Sequence, residues 1–296
     1  MPLPIPEPRI AGYTRTTEAP LYWAAYGREG GERLLLLHGG PGASHDYLLP
    51  QMLALGERRD LLFYDQRGGG RSRSDGEAPA TWQDHVDDLD KVAEEFALEP
   101  LSVVGYSWGA LLALLHAAQA SKSTGRRPAR LVLLNPAPAT AGYRREFESE
   151  FARRQKSEPI RTMREELQRS GVQESDRDAY RQRAFELSVA GYFADPGRAS
   201  DLTPFRVIGK VQQRVWESLG DYDVAQNLRG VSCPALVVHG REDPIPLASS
   251  ERIARALDAE LVVLADCGHV PYVERPEELF TAVGRFLAET PPARSG

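Results

Sequence analysis

Short apolar runs alternate with longer amphipathic segments along most of this 296-residue chain. Such runs match buried strands and the segments between them match helices, so the alternation predicts a mostly parallel sheet with helices on both faces. The predicted helices cover 81–97, 108–121, 248–257 and 276–289. The predicted strands cover 21–26, 33–39, 61–66, 101–106, 130–136, 235–240 and 260–266.

The alternation stops between residues 139 and 230, where charged helical sequence takes over. This pattern predicts a helical insertion between two strands of one sheet, above the carboxyl ends of the strands, where open α/β sheets bind their ligands. The predicted organisation is a core of residues 1–138 and 231–296 with a helical cap of residues 139–230. The terminal ETPPARSG is predicted to fray.

Charge and cysteine content limit the partners and the compartment. The net charge is −6, with 36 basic and 42 acidic residues spread along the chain, which argues against nucleic-acid or anionic-membrane binding. Cys233 and Cys267 are the two cysteines, so no disulfide framework is expected. The opening MPLPIPEPRI lacks the apolar core of a signal peptide, and no run approaches the roughly 20 apolar residues of a membrane span. We therefore expect a cytoplasmic protein that takes a small molecule or a short peptide.

One serine stands at the corner between a predicted strand and a predicted helix. Residues 105–109 read Gly-Tyr-Ser-Trp-Gly and fit G-x-S-x-G, in which a tight turn exposes the serine hydroxyl at the edge of a sheet. Glycines at both ends avoid collisions of a Cβ with the neighbouring strand or helix. The pattern predicts Ser107 as a nucleophile, with an ordinary strand end as the alternative for the pentapeptide alone.

A serine hydroxyl becomes a good nucleophile only beside a base, which an acid must orient. Acid and then histidine are expected further along the chain, at the ends of later strands. His269 follows the last predicted strand and precedes the last helix, so it is the predicted base. Asp243, in the loop after the strand 235–240, is the favoured acid, with Asp266 and Glu242 as alternatives.

Three other histidines have simpler interpretations. His239 falls inside a predicted strand and His116 inside a predicted helix, which favours packing roles for both. His85 is interpreted as a solvated position on the helix 81–97.

Two glycine-rich stretches frame the serine. His-Gly-Gly-Pro-Gly at 38–42 ends a predicted strand, where an oxyanion hole needs an uncrowded backbone N–H, and the Gly40 and Trp108 N–H groups are the predicted donors. An ordinary tight turn is the alternative. FYDQRGGGRSRS, at 63–74, lacks the glycine spacing of a nucleotide-binding loop. No metal-ligating motif is present, so we expect neither metal nor cofactor.

Five motifs together resemble the α/β-hydrolase superfamily, specifically its proline iminopeptidase (prolyl aminopeptidase) branch: HGGPG, DQRGGGRS, GYSWGA, GREDPIP and CGHVPYVERPEE. HGGPG followed by DQRGxGxS is fairly specific to that branch, whereas the other motifs mark the superfamily. The resemblance covers nearly all the chain outside 139–230. It implies a mostly parallel central sheet with a helical cap after the sixth strand, Ser107 as nucleophile, and Asp243 and His269 as its relay.

Members of that branch cleave an N-terminal residue, usually proline, and use cap glutamates to bind its free amine. Here the cap departs from the pattern, because Glu186 stands further ahead of Tyr192 and Trp216-Glu217 follows it. Residues 139–230 hold 16 basic against 15 acidic residues, so recognition of an amine would need individual carboxylates. Glu186 is the predicted one, with a solvated helix position as the alternative, and Tyr106 is predicted either to line the pocket or to pack.

Three functions remain open at this point. The leading hypothesis is an aminopeptidase acting on N-terminal proline or a similar small residue. A carboxylesterase, amidase or lactonase with the same three residues is the second, and a binding protein without turnover is the third. An intact serine, aspartate and histidine in the expected order favours the first two.

Overall fold

An eight-stranded sheet forms the centre of the protein, which a computed structural model describes at residues 3–72, 80–122 and 126–289. The strands are β1 Ile10–Tyr13, β2 Tyr22–Gly27, β3 Glu32–Leu37, β4 Arg59–Tyr64, β5 Leu101–Tyr106, β6 Pro128–Leu134, β7 Ala235–Gly240 and β8 Glu260–Leu264. Their order in the sheet is β1-β2-β4-β3-β5-β6-β7-β8. β1 with β2 and β2 with β4 pair antiparallel, and the remaining pairs are parallel.

Helices cover both faces of the sheet, as the sequence predicts. The described helices are α1 Trp82–Glu95, α2 Trp108–Ser121, α3 Ala141–Arg154, α4 Glu158–Arg169, α5 Val172–Ser175, α6 Arg177–Val189, α7 Gly209–Leu219, α8 Leu247–Leu257, α9 Pro271–Glu274 and α10 Pro276–Ala288. Alternate residues of β3 point to opposite faces, so that Leu35 packs in a core with α1, α2 and α8, while Leu36 packs in a core with α10.

All seven predicted strands and all four predicted helices are present, with ends that agree within two residues. β1 was not predicted. Its outer residues Ile10 and Tyr13 are 52% and 53% exposed, so this edge strand carries no buried stripe that a sequence pattern could reveal.

Helices α3 to α7 occupy the chain between β6 and β7. This insertion leaves and rejoins the core at one place, because the Ala141 N–H donates to Tyr222 O at 3.0 Å and the Val224 N–H donates to Ala139 O at 2.9 Å. The domain boundaries at 139 and 230 stay a prediction. Beyond Glu289, the predicted frayed tail lies outside the described residues.

The sheet register brings several loops to one edge. Leu37 of β3 pairs with Gly105 of β5, and Tyr106 of β5 pairs with Leu134 of β6. The loops that follow these strands therefore start side by side. None of the helices within the described ranges has both the length and the apolar character needed to span a bilayer.

Candidate active site

Ser107 occupies a sharp turn between β5 and α2. Its backbone has φ 53° and ψ −116°, a conformation that L-residues seldom adopt. Two glycines make the turn possible. A Cβ at Gly105 would lie 2.6 Å from the Ala110 Cα, and a Cβ at Gly109 would collide with the Leu37 carbonyl oxygen. The serine side chain is therefore presented at the sheet edge with little freedom in the backbone below it.

His269 and Asp243 stand in series behind this serine. His269 Nε2 lies 2.9 Å from Ser107 Oγ, and His269 Nδ1 lies 2.8 Å from Asp243 Oδ2. Both side chains are buried. The distances allow His269 to accept the serine proton while Asp243 holds the imidazole in the required tautomer.

Asp243 is kept ionised by its surroundings. Burial alone would raise the pKa of Asp243, but the charge and hydrogen bond of His269 together with its other partners hold that pKa below its usual value. Among those partners, the Ile245 N–H donates to Oδ1 at 2.8 Å and the Asn135 side-chain amide donates to Oδ2 at 2.6 Å. An ionised carboxylate is the form that can stabilise a positively charged imidazole.

Asn135 is a site residue that the sequence analysis missed. Its side-chain amide bridges Asp243 and the carbonyl oxygen of Gly268, the latter at 3.0 Å, and so ties the loop after β7 to the loop after β8. Its backbone φ is 41°, which asparagine tolerates better than most residues. The available signal was a lone asparagine directly after a buried strand.

The two alternative acids lie elsewhere. The Asp266 side chain is 83% exposed and pairs with Arg275 at 3.1 Å. The Glu242 carboxylate accepts the N–H of Cys267 at 2.9 Å. Of the three candidate acids, Asp243 is the one that the structure brings to the His269 ring.

Gly40 and Trp108 face the same cavity as Ser107. Trp108 is the first residue of α2, so its N–H has no acceptor within the helix. Gly40 has φ 62°, and the preceding Gly39 packs so closely that a Cβ there would lie 2.8 Å from the Ser107 Cβ. Both predicted oxyanion donors are therefore beside the serine, although their role stays a prediction.

His38 and Gln66 connect the backbone next to Gly40 with the side chain of Trp108. His38 Nε2 accepts the Gln66 N–H at 3.0 Å, and His38 Nδ1 lies 2.8 Å from the carbonyl oxygen of Gly39. The Gln66 side chain donates to His38 O at 2.7 Å and accepts the Trp108 indole N–H at 2.8 Å. Burial lowers the pKa of His38 to about 4, so the ring is neutral at pH 7.

Asp65 is the first residue of the DQRGGGRS stretch, and its carboxylate accepts hydrogen bonds within the turn after β4. Asp65 Oδ1 accepts from the His45 ring at 2.6 Å, and Oδ2 accepts the Arg71 N–H at 2.9 Å.

The cavity above Ser107 has a volume of about 740 Å³ and a mainly aromatic wall. Arg144 is the one Lys or Arg residue and Glu148 the one Asp or Glu residue of this wall, among the described residues. They pair with each other at 2.9 Å, and the Arg144 guanidinium stacks 4.4 Å from the Trp216 ring. The aromatic and aliphatic lining comprises Tyr47, Tyr106, Trp108, Phe147, Phe151, Phe185, Val189, Tyr192, Leu202, Phe205, Val207, Trp216, Ile245, Val270 and Tyr272.

Of the two predicted substrate-binding residues, the structure brings one to the cavity. Tyr106 lines it, with its hydroxyl donating to His269 O at 3.0 Å. Glu186 is absent from the described cavity wall and instead accepts from the Gln182 side chain at 2.9 Å. The helical face that carries Glu186 could not be assigned from sequence, whereas Glu148 on α3 does line the cavity.

The interpretation of His85 as solvated was wrong. His85 is 1% exposed and packs edge-on against the Trp108 ring at 5.9 Å. Burial lowers its pKa to about 3. His239 is buried and bonded to Ser250 at 2.9 Å, in line with a packing role.

A mostly parallel sheet with helices on both faces, and a cavity at the carboxyl ends of its strands, defines an α/β enzyme fold. The chain belongs to the α/β hydrolase family, whose model matches residues 34–282. The protein is accordingly a hydrolase of that family.

Relatives named proline iminopeptidase align with most of the chain. A proline iminopeptidase of Lactobacillus delbrueckii subsp. lactis is 26% identical over 270 residues, covering 85% of this chain and 90% of the relative. A proline iminopeptidase of Heyndrickxia coagulans is 26% identical over 279 residues, covering 87% and 91%.

Solved structures share the fold. The proline iminopeptidase of Mycobacterium smegmatis has a TM-score of 0.68 at 22% identity, covering 94% of this chain and 97% of its own. An enol-lactonase of Burkholderia xenovorans has a TM-score of 0.63 at 21% identity, covering 94% and 100%. At such identities the similarity shows a shared fold only. The names of these two proteins describe different activities.

Proposed function

We propose that the protein is a serine hydrolase that works through an acyl-enzyme. The observation that carries the proposal is the series Ser107, His269 and Asp243, joined by contacts of 2.9 and 2.8 Å. In this mechanism Ser107 Oγ attacks a carbonyl carbon while His269 takes its proton, and Asp243 stabilises the imidazolium. His269 then protonates the leaving group, and water, deprotonated by His269, releases the acyl group.

The negative charge that develops on the carbonyl oxygen needs donors that are already in place. The N–H groups of Gly40 and Trp108 are proposed for this role, since both residues line the cavity beside Ser107. One such donor typically contributes about 10²–10³ in rate.

The proposed substrate is a peptide from which the enzyme removes an N-terminal residue, with proline as the first choice. The curated relatives named proline iminopeptidase support this choice at 26% identity. An aminopeptidase must recognise a free ammonium group. Within the described cavity wall Glu148 is the carboxylate placed to do so, and Glu186 is not.

One observation favours a second candidate function, hydrolysis of a carboxylic ester, an amide or a lactone without a free amine. Glu148 is already paired with Arg144, and the remaining described lining contains no other Asp or Glu. A cavity of about 740 Å³ also falls in the range that holds a drug-sized ligand.

The decisive experiment compares kcat/KM for proline p-nitroanilide, its N-acetylated form and p-nitrophenyl acetate. Cleavage of the free-amine substrate alone supports the aminopeptidase, whereas turnover of the ester alone supports the second candidate. Ser107→Ala should reduce every activity by about 10⁴ or more. Ser121→Ala, at the other end of α2, is the matched control and should leave the rates unchanged.

The Arg144–Glu148 pair provides the companion test. For an aminopeptidase, Glu148→Gln should raise KM for proline p-nitroanilide and leave the ester unaffected, because the ammonium group loses its partner. If Glu148→Gln changes KM equally for both substrates, Glu148 does not bind the free amine. Arg144→Met should then show whether the pair only shapes the cavity.

A cytoplasmic location is part of the proposal. The two cysteines are free thiols, Cys233 half-buried and Cys267 buried, which supports a reducing compartment.

A further inference from the structure

Glu274 is a buried carboxylate that connects two parts of the candidate active site. It ends α9, and only 5% of the residue is exposed. Oε1 accepts the N–H of Ala194 at 2.8 Å, and Oε2 accepts the N–H of Gly268 at 2.8 Å. Ala194 belongs to the insertion between β6 and β7, and Gly268 belongs to the loop that carries His269. A single side chain therefore bridges the insertion and the loop of the proposed base.

The junction that Glu274 bridges is tightly packed. A Cβ on Gly268 would collide with the carbonyl oxygen of Tyr192 and lie 2.7 Å from the Ala194 nitrogen. The His269 N–H donates to that same Tyr192 oxygen at 2.6 Å. The Tyr192 ring also stacks on the imidazole at 5.1 Å and forms part of the cavity wall. A shift at this junction would therefore move both the base and the substrate pocket.

The charge of Glu274 is compensated by backbone N–H groups rather than by a cation. Within the described part of the chain, no Lys, Arg or His nitrogen lies within 4.0 Å of its oxygens. The nearby Arg275 pairs with Asp266 at 3.1 Å, and Arg198 pairs with Asp201 at 2.7 Å. The other titratable groups around Glu274 are Asp195, Glu242 and Cys267.

Burial raises the pKa of Glu274 to about 7, against the opposing effect of the backbone N–H groups of Ala194 and Gly268. The carboxyl group therefore changes its charge close to neutral pH. When protonated, it turns one acceptor into an O–H donor that faces an N–H group, so one of the two bridging hydrogen bonds is lost.

We propose that Glu274 is a positioning residue for His269, whose ionised carboxylate clamps residues 192–194 against the loop 266–270. The inference rests on the proposed function, because it takes His269 as the base. It adds that the position of His269 depends on the ionisation of Glu274, a group that does not touch the reacting atoms.

The stability of the protein separates this role from a merely structural one. Because the pKa of Glu274 is higher in the folded than in the unfolded chain, the folded state holds more protons between about pH 4.5 and 7. The free energy of unfolding therefore decreases as the pH rises through that window. Tm of the wild type and of Glu274→Gln at pH 6 and pH 8 therefore shows whether a loss of kcat at pH 8 is accompanied by a general loss of stability.

The test is Glu274→Gln, assayed with p-nitrophenyl acetate from pH 6 to 8.5 with kcat and KM resolved. At pH 8 we expect kcat to fall by about tenfold with KM changed less, since small displacements of a reacting group are costly. Towards pH 6 the ratio of wild-type to variant kcat should approach one, because protonation removes the clamp from the wild type as well. Glu165→Gln, a carboxylate-to-amide change at a 56% exposed side chain of α4, should give a ratio near one throughout.

A constant kcat ratio across the pH range, or full activity of Glu274→Gln at pH 8, would overturn the proposal. Hydrogen exchange gives a readout without substrate. Amides of residues 190–195 and 266–270 should exchange faster in Glu274→Gln than in the wild type at pH 8, and unchanged exchange would also overturn it. If the wild type shows no Ser107-dependent activity, the proposed function fails, and exchange still decides whether the clamp exists.

Discussion

The Nδ1 atom of His38 lies 2.8 Å from the carbonyl oxygen of Gly39. Because Nε2 accepts the N–H of Gln66 at 3.0 Å, the neutral ring carries its proton on Nδ1 and donates it to Gly39 O. In a trans peptide the C=O and the following N–H point in opposite directions. Fixing Gly39 O therefore also fixes the direction of the Gly40 N–H, a proposed oxyanion donor.

This relationship predicts different activities for two substitutions of His38. His38→Asn can still donate from a side-chain amide near the Nδ1 position, whereas His38→Phe cannot. We expect kcat to fall by about 10- to 100-fold in His38→Phe, less than the loss of a whole oxyanion donor, and to fall much less in His38→Asn. Inhibition by a boronic acid, which forms a tetrahedral adduct, should weaken in parallel.

The two variants control for stability, because both lose the acceptor for the Gln66 N–H. Each should be less stable by about 1–3 kcal/mol. Equal kcat values in the two variants would show that the Gly39 contact does not matter for turnover.

Acid stability should depend on two buried histidines. Burial lowers the pKa of His38 to about 4 and that of His85 to about 3, so both stay neutral in the folded protein while the unfolded chain binds protons near pH 6.5. The stability they contribute is present above about pH 6.5 and is lost as the pH falls towards 4 and 3. Each contributes a slope of up to about 1.4 kcal/mol per pH unit.

Urea unfolding at intervals between pH 7.5 and 4.5 measures that slope. His85→Leu removes one of the two groups and should flatten the curve. His116→Leu, at a second buried histidine, provides a comparison. If His85→Leu leaves the slope unchanged, His85 does not titrate as the burial argument requires.

The ion pair between Arg67 and Asp88 is expected to matter for folding. Two bonds of 2.8 Å join the buried side chains and fix the turn after β4 to helix α1. Asp88→Ala leaves the buried Arg67 guanidinium paired only at 3.3 Å with Glu18, whose side chain is 70% exposed, and should lower the free energy of unfolding by up to about 3–5 kcal/mol.

An exposed pair gives the matched control for Asp88→Ala. Glu165→Ala breaks the contact between the Glu165 and Arg169 side chains, which are 56% and 70% exposed. The change should lower the free energy of unfolding by well under 1 kcal/mol. The double change Arg67→Met with Asp88→Leu should restore much of the lost stability. A cost below about 1 kcal/mol for Asp88→Ala would contradict the assigned role of the pair.

Both cysteines should resist alkylation in the folded protein. Burial raises the pKa of the Cys233 thiol to about 11 and that of Cys267 well above its usual value, so little thiolate is present at pH 7.5. Iodoacetamide should label both thiols in urea and neither within minutes in buffer, with full activity retained. Rapid inactivation would show that Cys267 is accessible beside His269.

The sequence predicts the sheet well because its strands depend on local pattern, and the three proposed catalytic side chains are predicted on local pattern as well. β5 and β7 are continuous apolar runs, and Ser107 is framed by glycines at fixed spacing. The strand β1 escaped prediction because its outer residues are exposed, and its existence depends on pairing with β2.

Residues whose roles arise from long-range contacts could not be predicted in this way. Asn135 contacts Gly268, 133 residues away, and Glu274 contacts Ala194, 80 residues away, and neither has a sequence pattern that identifies its partner. His85 was misjudged because the rotation of α1 against Trp108 is set by packing. Glu186 was chosen by its distance from Tyr192 along the chain, which does not tell which side of α6 faces the cavity.

The order of the strands also has a consequence for synthesis on the ribosome. The chain presents Ser107 first, and its proposed partners Asp243 and His269 emerge only after the whole insertion has been made. In a nascent chain that has already formed the turn between β5 and α2, the Ser107 hydroxyl therefore has no base beside it. If the proposed mechanism holds, a translation product that stops before His269 would contain Ser107 without its base and would have no hydrolase activity.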